Sequence, residues 1–185
     1  MTLVASNARV GITGAIRRAP IGTTAPTDAV SPLDAAFGDL GYISDEGVNL
    51  SFEDSVENKF AWQSATLIRS ITSESVTALN FSMLEWKGNN LEYFFRGSTM
   101  VEVAADNFRL DGGPITADPH MLVADIVDGT RAIRWLFGNA EVVARGEISI
   151  TNSDLMMLPV TLNFYPDANG RPFQVWSNDP AWATS

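Results

Sequence analysis

Segments in which apolar and polar residues alternate recur along most of this 185-residue chain. Residues 48–52 and 158–165 are clear examples, and residues 76–86 repeat the pattern with many β-branched and aromatic side chains. Because successive side chains of a β-strand point to opposite faces, such alternation predicts strands that bury one face. Asp128-Gly129 separates two further segments and is a typical hairpin turn. The pattern therefore predicts a mainly β (α+β) fold, arranged as a β-sandwich or barrel.

One short stretch has helical spacing instead. In residues 90–96 the apolar side chains Leu91, Phe94 and Phe95 fall on one side of a helix, and Gly97 follows as a typical end signal. A helix of about two turns is marginal by itself in water, so its aromatic side must dock on a sheet. The sequence therefore predicts one short flanking α-helix.

The strand pattern stops where the chain becomes acidic and polar, at residues 54–59. Asp, Ser and Asn are frequent in turns because their side chains bond nearby backbone groups, so a polar turn is predicted here. Separate strands are then expected at residues 67–71 and 76–86.

A long segment, residues 20–47, has little strand or helix periodicity and forms a predicted extended arm. It carries the apolar residues Ile21, Phe37, Leu40 and Tyr42, where a self-contained domain needs only a turn. The arm therefore points to a partner outside the chain's own core. Because these side chains lack an obvious partner in one subunit, we expect the arm to be mobile in the monomer and ordered in an assembly.

Composition narrows the class of protein. The chain carries 22 acidic and 12 basic residues, a formal net charge of −10, which argues against a protein that reads nucleic-acid sequence. The acidity fits either simple solubility or a surface that faces DNA without binding it. No apolar run approaches the roughly 20 residues of a membrane helix. No signal peptide is visible, so synthesis in a cytoplasm is expected. The chain has no cysteine, which agrees with a cytoplasm and excludes disulfides.

No set of residues matches a known catalytic or metal-binding pattern. The sequence contains no nucleophile motif that could act with its single histidine, His120, and one histidine without cysteine argues against a zinc site. Residues 111–118 and 167–170 are turn-like and do not fit the twelve-residue calcium loop. The acidic pair Asp45 and Glu46 is expected to be solvated and not a glycosidase pair. We therefore expect no enzymatic activity, no metal and no cofactor.

Three motifs follow one another in an order that resembles a known family. They are GAIRRAPIGTTAPTD at residues 14–28, SPLDAAFGDLGYISDEGVNLSFE at residues 31–53 and NNLEYFFRG at residues 89–97. The chain resembles the major tail tube protein of long, non-contractile-tailed bacteriophages from about residue 11 to about residue 176. The resemblance implies a β-sandwich or barrel of the tail-tube type. It implies a single domain, residues 1–185, with the arm at residues 20–47 and a short C-terminal tail at residues 178–185.

The same resemblance implies a structural role in the virion. Six copies would form a ring, and rings would stack into the hollow tail tube that conducts DNA into the host. Double-stranded DNA would pass without specific binding, since an acidic lumen repels phosphates. Implied partners are further copies of the chain, the tape measure protein, the tail terminator and baseplate or tail-tip proteins. Synthesis and assembly would take place in the host cytoplasm.

The resemblance also implies roles for individual residues. Contacts between subunits or rings would involve the arm and its end, at Ile21, Phe37, Leu40, Tyr42, Asp45 and Glu46. Candidates for the lining of the lumen are Glu74, Glu85, Glu141 and Glu147.

Two alternatives stay open at this stage. The chain could be another ring-forming tail component, such as a terminator or baseplate hub, whose rings do not polymerise. It could also be a soluble β-barrel module or enzyme for a sugar or lipid, which would need a pocket with converging polar groups.

Overall fold

The computed structural model describes residues 5–183, apart from the side chain of Ser6. The last two residues of the predicted C-terminal tail lie outside the described residues. The prediction of a mainly β fold with one short α-helix is confirmed. The elements are β1 (Thr13–Pro20), β2 (Gly38–Asp39), β3 (Ile43–Phe60), β4 (Leu67–Met83), α1 (Gly88–Phe94), β5 (Thr99–Ala104), β6 (Asn107–Asp111), β7 (His120–Asp128), β8 (Arg131–Arg145), β9 (Leu158–Phe164) and β10 (Gln174–Ser177), with 3₁₀ turns at Ala5–Asn7 and Pro180–Trp182.

The main sheet has the strand order β2-β1-β7-β8-β9-β4-β3, and β10 also pairs with β8. All neighbouring strands are antiparallel. The first part of β8 pairs with β7 and β10, and its last part, residues 140–145, pairs with β9. Strand β8 therefore joins two halves of the sheet, one made of β2, β1, β7 and β10 and the other of β9, β4 and β3. The two halves can face each other across one core in a sandwich-like arrangement.

The core lies between these two halves and beneath α1. Phe137 of β8 stacks on Phe164 of β9 with ring centroids 3.6 Å apart, and Tyr93 and Phe94 of α1 are buried against the same cluster. The predicted docking of the helix on a sheet is therefore confirmed. The helix begins and ends two residues earlier than expected, because the backbone of Phe95 leaves helical geometry at φ −89° and ψ 62°.

A second apolar cluster lies on the other face of the sheet, where the arm covers it. Its members are Ala19, Phe37, Met121, Val123 and Leu136, with Leu33 and Trp176 packed against them. Phe37 is 8% exposed, and Leu40 is 2% exposed within the main core. The prediction that the arm's apolar side chains lack a partner in one subunit is therefore wrong for Phe37 and Leu40.

Polar contacts tie the arm to the sheet as well. The buried guanidinium of Arg134 donates from Nη1 to the backbone oxygens of Asp28, at 3.1 Å, and Ser31, at 2.8 Å. Its Nε donates to Asp125 Oδ1 at 2.6 Å. Hydrogen bonds to the Asp28 carboxylate from the hydroxyl and backbone N–H of Ser31, and from the N–H of Val30, lower the pKa of Asp28 to about 2. These contacts give the arm a fixed path within one subunit.

The predicted polar turn at residues 54–59 is wrong. These residues continue β3, and residues 67–83 form the single strand β4 in place of two strands. Each polar side chain has a cross-strand neighbour, as when Asp54 pairs with Ser75 and Asn58 with Ser70. Cross-strand pairing outweighs the turn preference of single residues, which is the more context-dependent signal.

Candidate assembly interface

The two longest strands form a hairpin that extends beyond the rest of the protein. We call residues 52–76 the distal hairpin; every residue in it except Ala61 is exposed. Strand β9 pairs with β4 only from Thr77 onward, so past that residue the described part of the chain supplies no third strand. At about 3.3 Å per residue, the eight steps from Phe52 to Phe60 extend about 26 Å.

One side of the distal hairpin carries its largest exposed apolar side chains, with Asp54 and Asn58 between them, and we call it the apolar face. Phe52, Val56 and Phe60 are spaced by four residues and so lie on one face of β3, and Leu67 is the cross-strand partner of Phe60. Their exposed fractions are 54%, 54%, 62% and 49%. At the inner end, Phe52 meets Phe173 edge-on with centroids 5.8 Å apart. The apolar face is therefore a direct continuation of the face that builds the core.

The opposite side holds most of the charged residues. It carries Glu53, Glu57, Lys59, Arg69 and Glu74, together with the apolar Ile71 and Val76. Lys59 forms an ion pair with Glu57, and Lys59 and Arg69 are cross-strand partners. The distal hairpin is thus a two-sided ribbon: one face holds the large apolar side chains together with Asp54 and uncharged polar residues, and the other holds most of the charge.

A two-stranded ribbon of this kind needs further contacts to be stable. A two-stranded hairpin without a third strand or a covering layer is at best marginally stable in water. Unpaired strand edges and large exposed apolar surfaces are the features that pair with other chains. Full burial of an apolar side chain of this size contributes about 1.5–3 kcal/mol, so covering each of these half-exposed side chains contributes about half of that to association. The arrangement is a candidate assembly interface.

The inner end of the hairpin is held firmly. The side chain of Asn90, at the start of α1, donates from Nδ2 to the backbone oxygen of Leu40 at 2.8 Å and to that of Glu85 at 3.0 Å. Leu40 precedes β3 and Glu85 follows β4, so one buried amide holds both ends of the hairpin. The distal part therefore projects from a fixed base.

Glu85 adds a second contact at this base. Its carboxylate accepts a hydrogen bond from the N–H of Tyr42 at 2.9 Å and one from Lys87 at 3.1 Å, and these bonds lower the pKa of Glu85. Gly41 makes this approach possible: it has φ 81°, and a Cβ there would meet the Glu85 carboxylate at 2.1 Å. Lys87 also donates to the backbone oxygen of Asp39 at 2.8 Å.

The predicted contact residues separate into two groups. Phe37 and Leu40 are buried in their own subunit, so they are corrected to residues of the chain's own packing. Ile21 and Tyr42 are 52% and 77% exposed, and Asp45 and Glu46 are also exposed. A contact role for these four stays a prediction.

The predicted lumen residues lie in four different settings. Glu74 is on the charged face of the distal hairpin, Glu85 is at its base, and Glu147 is exposed after β8. Glu141 forms a partly buried ion pair with Arg96. Their lining of a lumen stays a prediction.

Sequence reasoning missed the distal hairpin. The usable signal was the even spacing of Phe52, Val56 and Phe60, which continues the alternation through the acidic stretch. Among the described residues, no helix is long and apolar enough to cross a membrane. Within the same part of the chain, no cluster of three or more His, Asp or Glu side chains could hold a metal ion.

Comparison with known proteins addresses the family directly. A family model described as "Phage tail tube protein" matches residues 1–185. Among solved structures, a chain in the cryo-EM structure of the 6-fold symmetrised anti-feeding prophage (AFP) baseplate is similar, with 10% identity, 95% and 97% of the two chains covered, and a TM-score of 0.48. No curated protein matches the chain. Because the family model spans the whole sequence, this chain is a structural protein of the phage tail and belongs to the phage tail tube protein family.

Proposed function

We propose that this chain polymerises into hexameric rings, and that the rings stack into the hollow tube of a long, non-contractile phage tail through which DNA passes into the host. The observation that carries the proposal is the distal hairpin of a tail tube family member, with its uncovered apolar face. A surface that is complementary to a different surface of the same chain produces head-to-tail contacts. Such contacts close into rings or extend into filaments.

Charge supports the role of a DNA conduit. The net charge is −10, and the distal hairpin places Glu53, Glu57 and Glu74 on its charged face. An acidic lumen repels the phosphate backbone, so the duplex passes without specific binding. The partners that go with this function are the tape measure protein, the tail terminator and the baseplate or tail-tip proteins. The assembled protein resides in the virion after synthesis in the host cytoplasm.

The exposed part of the arm gives a secondary contact. Ile21, Tyr42, Asp45 and Glu46 lie outside the chain's own core, and they contribute to contacts between rings in this proposal. The arm's covered residues serve the subunit itself.

Negative-stain electron microscopy of the concentrated protein tests the proposal. Hollow tubes of stacked rings are expected. Rings that never stack would assign the chain to another ring-forming component, such as a terminator or baseplate hub. A uniform population of small particles at every concentration would contradict assembly and favour a soluble module.

A matched pair of variants ties assembly to the apolar face. Val56→Asp places a charge on that face and is expected to suppress tubes. Ser55→Asp adds the same charge one residue earlier, on the opposite face of β3, and is expected to leave tube formation unchanged. Equal suppression by both variants would contradict a role for the apolar face.

A further inference from the structure

The tip of the distal hairpin presents a single large side chain. Residues 60–68 contain no charged residue, and Trp62 within them is 95% exposed. The turn is closed by a hydrogen bond from the N–H of Ala61 to the backbone oxygen of Thr66 at 3.0 Å, and Ser64 bonds the hydroxyl of Thr66 at 2.9 Å. The tip is therefore an ordered turn that presents an indole ring. Tryptophan is one of the residue types that are enriched among those that dominate binding energy at interfaces.

A cleft of about 350 Å³ lies at the other end of the hairpin, and we call it the base cleft. It is bounded by the arm, the end of β1, the start of α1 and the segment before β7. Its apolar walls are formed by Pro20, Ile21, Ala36, Leu40 and Pro119. Cavities of this size are at the lower end of the range for small-ligand sites and accommodate one bulky side chain.

The chemistry of the base cleft fits an indole. Asp39 and Asp118 lie in its lining, and their carboxylates are 46% and 53% exposed. The ion pair of Asp118 with Arg18 is long, at 3.5 Å, and that of Asp39 with Arg17 is 3.2 Å, so both carboxylates keep acceptor capacity. An indole has an apolar body and one N–H donor, and it seeks an apolar site with an acceptor at the edge.

The positions of tip and cleft exclude contact within one copy. Leu40 and Asn90 line the cleft, and Asn90 is the residue that holds the hairpin base. The 17 steps from Ile43 to Phe60 correspond to about 55 Å of strand between base and tip. A protrusion at one end and a matching cleft at the other produce head-to-tail contacts that repeat along an axis.

We propose that Trp62 of one copy inserts into the base cleft of a second copy, with its ring against the proline and aliphatic walls and its N–H bonded to Asp39 or Asp118. This inference rests on the proposed function, and it assigns the contact between successive rings to one tryptophan and one cleft. The second copy is the chosen partner because tip and cleft occur on the same chain, at opposite ends of one hairpin, in a family that builds tubes.

Cysteine cross-linking tests this contact directly, since the chain has no cysteine of its own. Gln63→Cys lies beside Trp62 and leaves it intact, and Asn89→Cys lies in the lining of the base cleft. The two variants are purified separately, mixed, assembled and oxidised. A disulfide forms only where Cα atoms approach within about 7 Å. A cross-linked dimer is expected in at least tenfold excess over the pair Gln63→Cys with Ser153→Cys, whose second cysteine is exposed but outside the cleft.

A second variant tests whether the cross-link depends on Trp62 itself and not only on the tip lying near the base cleft. Adding Trp62→Ala to the Gln63→Cys chain is expected to reduce cross-linking at least tenfold, whereas adding Trp182→Ala, at another exposed tryptophan, is expected to leave it unchanged. If the unsubstituted protein forms tubes but the Gln63–Asn89 pair cross-links no better than the control pair, the inference is overturned and the proposed function stands. If the unsubstituted protein forms no assembly at all, both are overturned. A different result would assign the tip to a lipid surface and overturn the inference. In that case the protein would co-sediment with phosphatidylcholine vesicles only when Trp62 is present, and the cross-link would not form.

Discussion

The arm and the distal hairpin are both long segments outside the regular core, yet they differ in how their apolar side chains are covered. The arm has irregular backbone, but Phe37 and Leu40 are buried and Arg134 holds its backbone. The distal hairpin has regular backbone, but Phe52 and Phe60 are more than half exposed. Irregular structure is therefore a poor guide to where a partner binds. The better guide is regular structure that extends past the layer covering it.

The largest expected effect on the free subunit comes from the covered part of the arm. Leu40→Ala removes a side chain that is 2% exposed, and it should lower the free energy of unfolding by about 2–5 kcal/mol. Tyr42→Ala, two residues later and 77% exposed, should change it by less than about 0.5 kcal/mol. Urea denaturation of the monomer measures both. Similar values for the two variants would contradict the packing of the arm.

A slightly smaller loss is expected when the polar anchor of the arm is removed. Arg134→Met leaves two backbone oxygens and part of the Asp125 carboxylate without their donor, which should cost about 3 kcal/mol because the pair is buried. The exposed ion pair of Arg109 with Asp111 gives the control, and Arg109→Met should cost less than about 1 kcal/mol. Limited proteolysis should also cut the arm faster in Arg134→Met. Unchanged cleavage would show that Arg134 does not hold the arm.

Mild acid should destabilise the covered body of the subunit through His120. Burial lowers the pKa of His120, against smaller opposing effects of Asp118 and Glu141 and a further lowering by Arg18. Its Nδ1 bonds the backbone oxygen of Asp118, which only accepts, so the neutral ring carries its proton there and accepts from the Tyr93 hydroxyl at 2.8 Å. The unfolded chain binds the proton more readily, so stability is complete above pH 6.5 and falls as pH decreases below it.

The measurement is the urea midpoint of the monomer between pH 7.5 and 5, with His120→Gln as the control. The control should lose the dependence on pH in this window, because the carboxylates whose pKa is lowered titrate at more acidic pH. A slope that is the same in both proteins would rule out His120 as its source.

The smallest effect on the free subunit is expected at the uncovered face. Phe60→Ala should change the free energy of unfolding of the monomer by less than about 0.5 kcal/mol, since the side chain is 62% exposed. The same substitution should raise the protein concentration needed for assembly, as followed by light scattering. A monomer destabilised as much as in Leu40→Ala would mean that the subunit itself covers this face.

Much of the fold could be predicted from the sequence, because it follows from local periodicity. The docking of α1 was predictable from Leu91 and Phe94, whose spacing requires an apolar partner. The sequence did not reveal which surface covers Phe37, since its neighbours Met121 and Val123 lie more than 80 residues later. The hold of Asn90 on Leu40 and Glu85 is likewise a long-range contact without a local signature.

The hairpin was missed for a related reason. Turn preference is a property of single residues in 54–59, whereas the pairing of β3 with β4 is a property of two strands together. Glu57 belongs to the charged face of the strand, whereas Asp54 lies on the face of Val56 and Phe60, whose even spacing is the signal for a strand.

Hydrogen exchange of the monomer and of the assembled protein distinguishes a covered arm from an uncovered hairpin. Residues 28–40 of the arm should already be protected in the monomer and change little on assembly. Residues 52–76 should exchange fast in the monomer and become protected in the tube. Protection that appears in the arm while the distal hairpin stays unchanged would contradict this distinction.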